Sequence, residues 1–217
     1  MADESRGDKK RAADTIDRAA RREQLLDAAE RVIRTQGEHA SMDDIAKEAG
    51  ITKPIVYAHF GDKAGLADAL AERVSASLIG KFWEVRAETT DPRTFVAHSI
   101  DAWIGFIEDE PQIYRFLAHG SVGNRTELGE RRLVADISHG ISRMTGDLLR
   151  DVGGDVAAAE PWAYGIVGLV HASSEWWLSR RTMSRDQLVA YVTALVWAGL
   201  SGNGLDRELS PLAPRES

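Results

Sequence analysis

With 217 residues, 43% of them apolar and 28% charged, the chain has the ordinary balance of a folded protein with one large core or two small ones. It contains no cysteine, which excludes disulfides, thiolate nucleophiles and Cys-ligated zinc or iron–sulfur centres. The net charge of −7 is spread unevenly: residues 1–63 carry 12 basic and 13 acidic side chains, so any basic surface there is a local patch. No apolar run approaches the roughly 20 residues of a membrane span, and the N-terminal stretch lacks the apolar centre of a signal peptide. A cytoplasmic protein with no membrane partner is expected.

In chain order, residues 1–17 are polar and without period, and read as a flexible tail. Lys9, Lys10, Arg11, Arg18, Arg21 and Arg22 make a basic cluster, but Asp8, Asp14 and Asp17 interrupt it. A solvated stretch is therefore expected rather than an arm reaching a DNA groove. From Arg18 onward Leu25, Leu26, Ala29, Val32 and Ile33 fall on one helical face, and Gly37 supplies a stop. Ser41 with Asp44 resembles a capping box for a short helix that ends at Ala49-Gly50. Thr52 is placed to cap a second short helix with Pro54 in its first turn, ending at Phe60-Gly61. Asp62 opens a long helix to about Glu88. Further helical segments follow near 92–109, 111–119, 126–152, 157–180 and 184–200, separated by Pro111, Gly123, Gly153-Gly154 and Met183-Ser184. Ser184 and Gln187 form a second capping box, and residues 202–217 read as another flexible tail. No segment has the period-two alternation of a strand, so the fold class is all-α.

Residues 41–60 carry the most information. Two helices of eight or nine residues joined by a Gly turn make a helix-turn-helix. Ile45, Ala46, Ile51, Val56 and Phe60 are the expected small core. Lys53, Ile55, Tyr57, Ala58 and His59 then face outward, a mixture of cation, apolar group and hydrogen-bonding rings suited to base edges. Lys63 and the N–H groups at the helix starts near Ser41 and Thr52 are candidates for phosphate contacts.

The pattern Ile45-Ala46, Ala49-Gly50-Ile51-Thr52, Val56-Tyr57-Ala58-His59-Phe60, Lys63 and Leu66 resembles the DNA-binding domain of the TetR family of bacterial transcription regulators, over about Arg21 to Leu70. The resemblance implies an N-terminal helix-turn-helix DNA-binding domain at 18–66 and a C-terminal helical ligand-binding and dimerisation domain at 67–201. It assigns base contacts to Lys53, Ile55, Tyr57 and His59, and phosphate contacts to Thr52, Tyr57 and Lys63. Ala64-Gly65 departs from the family, which often has Glu and a larger residue there; a glycine in the first turn of the long helix costs up to about 1 kcal/mol relative to alanine, which would loosen the hinge between the domains.

All six tryptophans lie beyond this motif. Trp103, Ile104, Phe106 and Ile107, with Tyr114, Phe116 and Leu117, form a dense apolar cluster, and the resemblance implies an inducer cavity among these helices. Trp103, Phe106, Ile107, Tyr114, Phe116 and Trp176 are the candidate ligand contacts. His98, Asp101, Arg115, His139 and Glu175 are candidate polar handles. His98 and Asp101 share a helix face without a third ligand in view, so no metal is expected. No G-x-S-x-G or Gly-rich phosphate loop occurs, so neither an enzyme nor a cofactor is expected. Gly165, Gly168 and Ala172, with Ala190, Ala194 and Ala198, recur at close-packing intervals on the last two helices. The family implies that these helices build a homodimer, which would span an inverted-repeat operator.

Residues 165–202, with the segment 106–117, also resemble the acyl-CoA-responsive regulators of fatty-acid synthesis in mycolic-acid bacteria. The expectation is a homodimeric transcriptional regulator, a repressor, whose hold on DNA is controlled by a hydrophobic small molecule such as a fatty acyl-CoA. The alternatives are a repressor of efflux or catabolic genes with a non-lipid ligand, and a helical ligand-binding protein without DNA recognition.

Overall fold

Capping chemistry sets several of the helix boundaries. A computed structural model describes residues 2–119, 128–203 and 205, which contain nine α-helices and, among the described residues, no strand. They are α1 (Ala2–Gln36), α2 (Met42–Glu48), α3 (Lys53–Phe60), α4 (Lys63–Glu88), α5 (Pro92–Asp109), α6 (Pro111–His119), α7 (Leu128–Val152), α8 (Ala159–Arg180) and α9 (Arg185–Ser201). Both expected capping boxes form: Ser41 Oγ accepts from Asp44 N at 3.2 Å, and Ser184 Oγ accepts from Gln187 N at 3.2 Å. Asp91 caps α5, its carboxylate accepting from the Thr94 hydroxyl and from Thr94 N at 2.9 Å, and these hydrogen bonds, the hydroxyl's first, hold the carboxyl below the usual carboxylate range. Gly50 and Gly61 end α2 and α3 at φ +65° and +76°, where a side chain would be strained.

Three boundaries depart from the sequence reading. α1 is continuous from Ala2, so residues 2–17, expected as a tail, are helical; they hold good helix formers and no proline. Thr52 stands at the N-cap of α3 with no capping bond from its side chain. Leu205, expected in the tail, is buried. The break expected at Gly123, the helix start expected at residue 126, residues 206–217 of the tail and the side chains of Lys9, Lys10 and Arg11 lie outside the described residues.

The chain divides into two units, residues 1–70 with 112–129 and residues 71–111 with 130–217. In the first, α1 packs on α2 and α2 on α3 around Leu25, Leu26, Ile33, Ile45, Val56, Leu66 and Leu70, all within 1% of fully buried. Ile51, expected in this core, is half-buried. Burying each such side chain contributes about 1.5–3 kcal/mol, which is what fixes so short a helix as α3. In the second unit α5 lies against α8 and α9, which also pack on each other.

Candidate nucleic-acid interface and apolar cavity

On α3 the inward residues Val56 and Phe60 dock the helix, so the rest of its circumference is presented outward. Ile55 and Tyr57 are 42% and 40% exposed. Lys53 and Tyr57, four apart, share one stripe: the ammonium lies 5.6 Å from the Tyr57 ring centre and 2.6 Å from Asp43 Oδ1. The bond to Asp43 raises the Lys53 pKa and holds the charge firmly on. Ile55 and His59 make a second stripe, and with Ala58 they line an open concavity of about 520 Å³ whose other wall is Asp17, Arg18 and Arg21 of α1. His59 is half-buried, and its pKa is lowered first by desolvation and then by Arg18, Arg21 and Arg22. Sequence reasoning set these arginines aside as solvated; the signal that would have kept them is the three-residue spacing of Arg18 and Arg21, which puts both on one face of α1.

Of the remaining candidates, Ser41 and Lys63 are committed elsewhere and Thr52 is not. Ser41 closes its capping box, which occupies its own N–H and that of Asp44 instead of leaving them for a phosphate. Thr52 is exposed at the start of α3. Lys63 is half-buried; its Nζ donates to the Glu38 carbonyl at 2.6 Å and lies 5.2 Å from the Phe116 ring centre. Burial lowers its pKa, an effect partly opposed by Glu38. Its ammonium thus braces the turn after α1 instead of standing free for DNA.

The second unit encloses an apolar cavity of about 100 Å³ bounded by α4, α5, α7, α8 and α9. Phe95, Ile100 and Trp103 of α5, Ile137, Met144 and Leu148 of α7, Val167 and Val170 of α8, and Val196 and Trp197 of α9 line it; Ser99 and Thr145 are its polar residues, and among the described residues no charged side chain lines it. Of the six expected ligand contacts only Trp103 is among its walls. Ile107 is buried away from it, Phe106 is half-buried, and Trp176 is 42% exposed. Tyr114 and Phe116 are core residues of the first unit. An aromatic cluster contiguous in sequence is divided because side chains about 100° apart on a helix face different neighbours. The α7 and α8 walls were missed: their apolar residues read as core, which is the same pattern. Among the polar handles, His98, Arg115, His139 and Glu175 are exposed, and Asp101 pairs with Arg185 at 2.7 Å.

Gly165, Gly168, Ala172, Ala190 and Ala194 are all exposed, beside Tyr164, Trp176, Tyr191 and Leu195, the last two each 63% exposed. A Cβ at Gly165 or Gly168 would meet nothing within 4 Å. Gly165 and Gly168 therefore serve no close approach among the described residues.

Residues 25–70 match the family described as "Bacterial regulatory proteins, tetR family", and residues 84–211 match "Tetracyclin repressor-like, C-terminal domain". An uncharacterised HTH-type transcriptional regulator of Mycobacterium tuberculosis is 33% identical over 84% of this chain and 78% of its own. The HTH-type transcriptional activator FasR of Mycolicibacterium smegmatis is 32% identical over 94% and 96%. The fold is shared with the fatty acid degradation regulator FadR of Bacillus halodurans (TM-score 0.62, 20% identity, 82% and 95% covered). It is shared too with FadR of Bacillus subtilis, solved in complex with stearoyl-CoA (TM-score 0.59, 18% identity, 81% and 97% covered). With both segments matched and relatives of this identity along most of its length, the chain belongs to the TetR family of DNA-binding transcriptional regulators.

Proposed function

We propose that the protein is a homodimeric repressor that reads an inverted repeat through α3, with operator affinity set by an apolar chain, such as that of a fatty acyl-CoA, bound in the second unit. The observation that carries the reading is the exposed Lys53–Tyr57 stripe with Ile55 beside it, on a helix held by a buried core. Lys53 suits a base edge or phosphate, Ile55 a thymine methyl, and Tyr57 either a base or a phosphate. Dimerisation through α8 and α9 is supported by their exposed apolar face and by glycines whose small size admits no close neighbour among the described residues. One half-site helix binds weakly; two held one helical turn apart bind together.

The lining favours an apolar chain over a charged ligand, since a carboxylate or phosphate within those walls would have no cation to meet it. A volume of about 100 Å³ falls short of the roughly 150 Å³ that holds a benzene, so a long chain enters only if the helices part. Binding then favours a conformation other than this one, and the change in operator affinity cannot exceed the ligand's preference between the two.

The test is fluorescence anisotropy on DNA from upstream of the gene, with long-chain acyl-CoA titrated against the complex, alongside transcription from that promoter. Tight, salt-sensitive binding lost on adding acyl-CoA, with transcription reduced by the protein, is the expected result. Tight binding indifferent to acyl-CoA refutes the lipid ligand and leaves the regulator. Increased transcription makes it an activator, as FasR is described to be.

A further inference from the structure

Among the described residues Arg86 is the only charged residue that is fully buried, at 7% exposure, although Ala87 and Glu88 beside it in the last turn of α4 are exposed. It stands four residues past Phe82, a wall of the apolar cavity, so the two share a face of α4. Helical side chains lean back towards the N-terminus, which tilts Arg86 over Phe82. α4 and α7 run in the same direction: Ser75 Oγ donates to Asp136 Oδ2 at 3.5 Å, and a Cβ on Gly140 would come within 2.7 Å of Ile79. Continuing that register brings Arg86 to the end of α7, where Leu148 is a second cavity wall and Asp151 follows three residues on. α5 begins directly after α4, and its wall runs about 16 Å from Pro92 at this end to Trp103. Burial lowers the Arg86 pKa, and the charge of Asp151, itself exposed, opposes that effect. Asp147, one turn earlier, is taken up by Arg150 at 2.5 Å. The apolar cavity thus has a guanidinium just past one end, held by a carboxylate that solvent can reach.

We propose that Arg86 is the head-group site of this cavity: the ligand is a free long-chain acid whose carboxylate pairs with the Arg86 guanidinium in place of Asp151, its chain lying along the α5 wall. The proposal rests on the cavity holding an apolar chain, as argued above. Charge that the apolar walls cannot satisfy is met one helical turn beyond them. Guanidinium matches a carboxylate through paired N–H donors, and the pair strengthens where water is excluded, as it is around a side chain this buried. Asp151 keeps the cation satisfied while the site is empty and, being exposed, turns back to solvent at small cost when the ligand's carboxylate arrives. The head is a carboxylate because a chain inside the cavity delivers its own end to a buried guanidinium. The phosphates of a coenzyme A thioester sit on a bulky polar group that needs solvent, so such a thioester binds through its chain alone.

The experiment titrates the full-length protein, without DNA, with three probes of equal chain length: palmitate, 1-hexadecanol and palmitoyl-CoA, each below its micelle concentration. The fluorescence of Trp103 and Trp197, both cavity walls, reports occupancy. The wild type is expected to bind palmitate about tenfold to a hundredfold more tightly than the alcohol, and palmitoyl-CoA about as the alcohol. Arg86→Gln should bring palmitate down to the alcohol's affinity and leave the alcohol unchanged; Arg86→Lys should keep part of the preference. Asp151→Asn removes the competing carboxylate and should raise palmitate affinity severalfold with the alcohol unchanged. Asp151 is exposed, so this variant decides the matter even where Arg86→Gln does not fold. Equal affinity of the wild type for palmitate and hexadecanol overturns the head-group site and leaves the apolar-chain reading standing. A folded Arg86→Gln that keeps the preference, or an Asp151→Asn that shifts both probes alike, makes Arg86 a structural strut and overturns the proposal. Palmitoyl-CoA losing as much affinity as palmitate in Arg86→Gln moves the contact to a phosphate and overturns the carboxylate. A wild type that binds none of the three overturns the apolar-chain reading together with this one.

Discussion

Gly65 shows how a local rule can point the wrong way. Helix propensity alone says that alanine at this position of α4 would gain up to about 1 kcal/mol. The backbone says otherwise: a Cβ on Gly65 would fall inside the van der Waals shell of the Phe60 carbonyl oxygen, while Gly65 N donates to the capping carboxylate of Asp62 at 2.8 Å. The obstacle is main chain and cannot swing aside, so the clash outweighs the propensity. Gly65→Ala is expected to lower stability by about 1–3 kcal/mol in a thermal melt; a rise in melting temperature would refute the close approach. His59 carries a second prediction at this scale. Its pKa is depressed in the fold, so the unfolded chain binds more protons, and its contribution to stability is lost as pH falls below about 6.5. His59→Gln should flatten that part of the stability profile.

At the scale of elements, α3 and the α5–α9 contact carry the argument. Tyr57→Ala leaves the α3 core of Val56 and Phe60 untouched and should abolish sequence-specific binding with no change in circular dichroism; normal operator binding by this variant would show that α3 is misassigned. In the second unit Arg185, on the first turn of α9, donates to Asp101 Oδ1 at 2.7 Å and to the Asp101 carbonyl at 2.9 Å, and lies 3.9 Å from Glu108. Its guanidinium occupies the space above Gly105, where a Cβ would come within 2.5 Å. Arg181 continues the array, donating to Glu108 at 2.6 Å with its guanidinium 4.0 Å from the Trp177 ring centre. Arg185 and Asp101 are partly exposed, which discounts the charge attraction and leaves mainly the hydrogen bonds. Arg185→Met should therefore cost about 1–2 kcal/mol, measured by denaturant titration. Gly105→Ala should cost a similar amount by displacing the same side chain.

For the whole molecule the decisive surface is the outer face of α8 and α9. Leu195 and Tyr191, each 63% exposed beside Ala190 and Ala194, are the side chains most in need of a partner. Leu195→Glu places a charge on that face, and if the proposed dimer forms through it, light scattering should show a dimer for the wild type and a monomer for the variant. Operator affinity should fall at least a hundredfold with it, because two linked half-sites become two weak ones. A Leu195→Glu protein that remains dimeric would move the interface elsewhere.

The sequence by itself determined the helical class, the helix-turn-helix and several of the helix ends. Caps, glycines at positive φ and short-range periodicity are local chemistry: Ser41 with Asp44, Ser184 with Gln187 and Gly61 each act within a few residues of themselves. Only the tertiary structure decided which residues meet across distance. Phe116 and Tyr114 read like cavity walls but are core in the first unit, while Ile137 and Val170 read like core but line the cavity. Lys63 reads like a phosphate ligand but braces the Glu38 carbonyl. Arg18 is exposed, as its sequence context suggests, but the sequence does not show that it shares an open concavity with His59, a residue 41 positions away in a different helix. Periodicity tells a helix which face is apolar; what that face meets is set by packing between segments distant in the chain, and no local pattern encodes it.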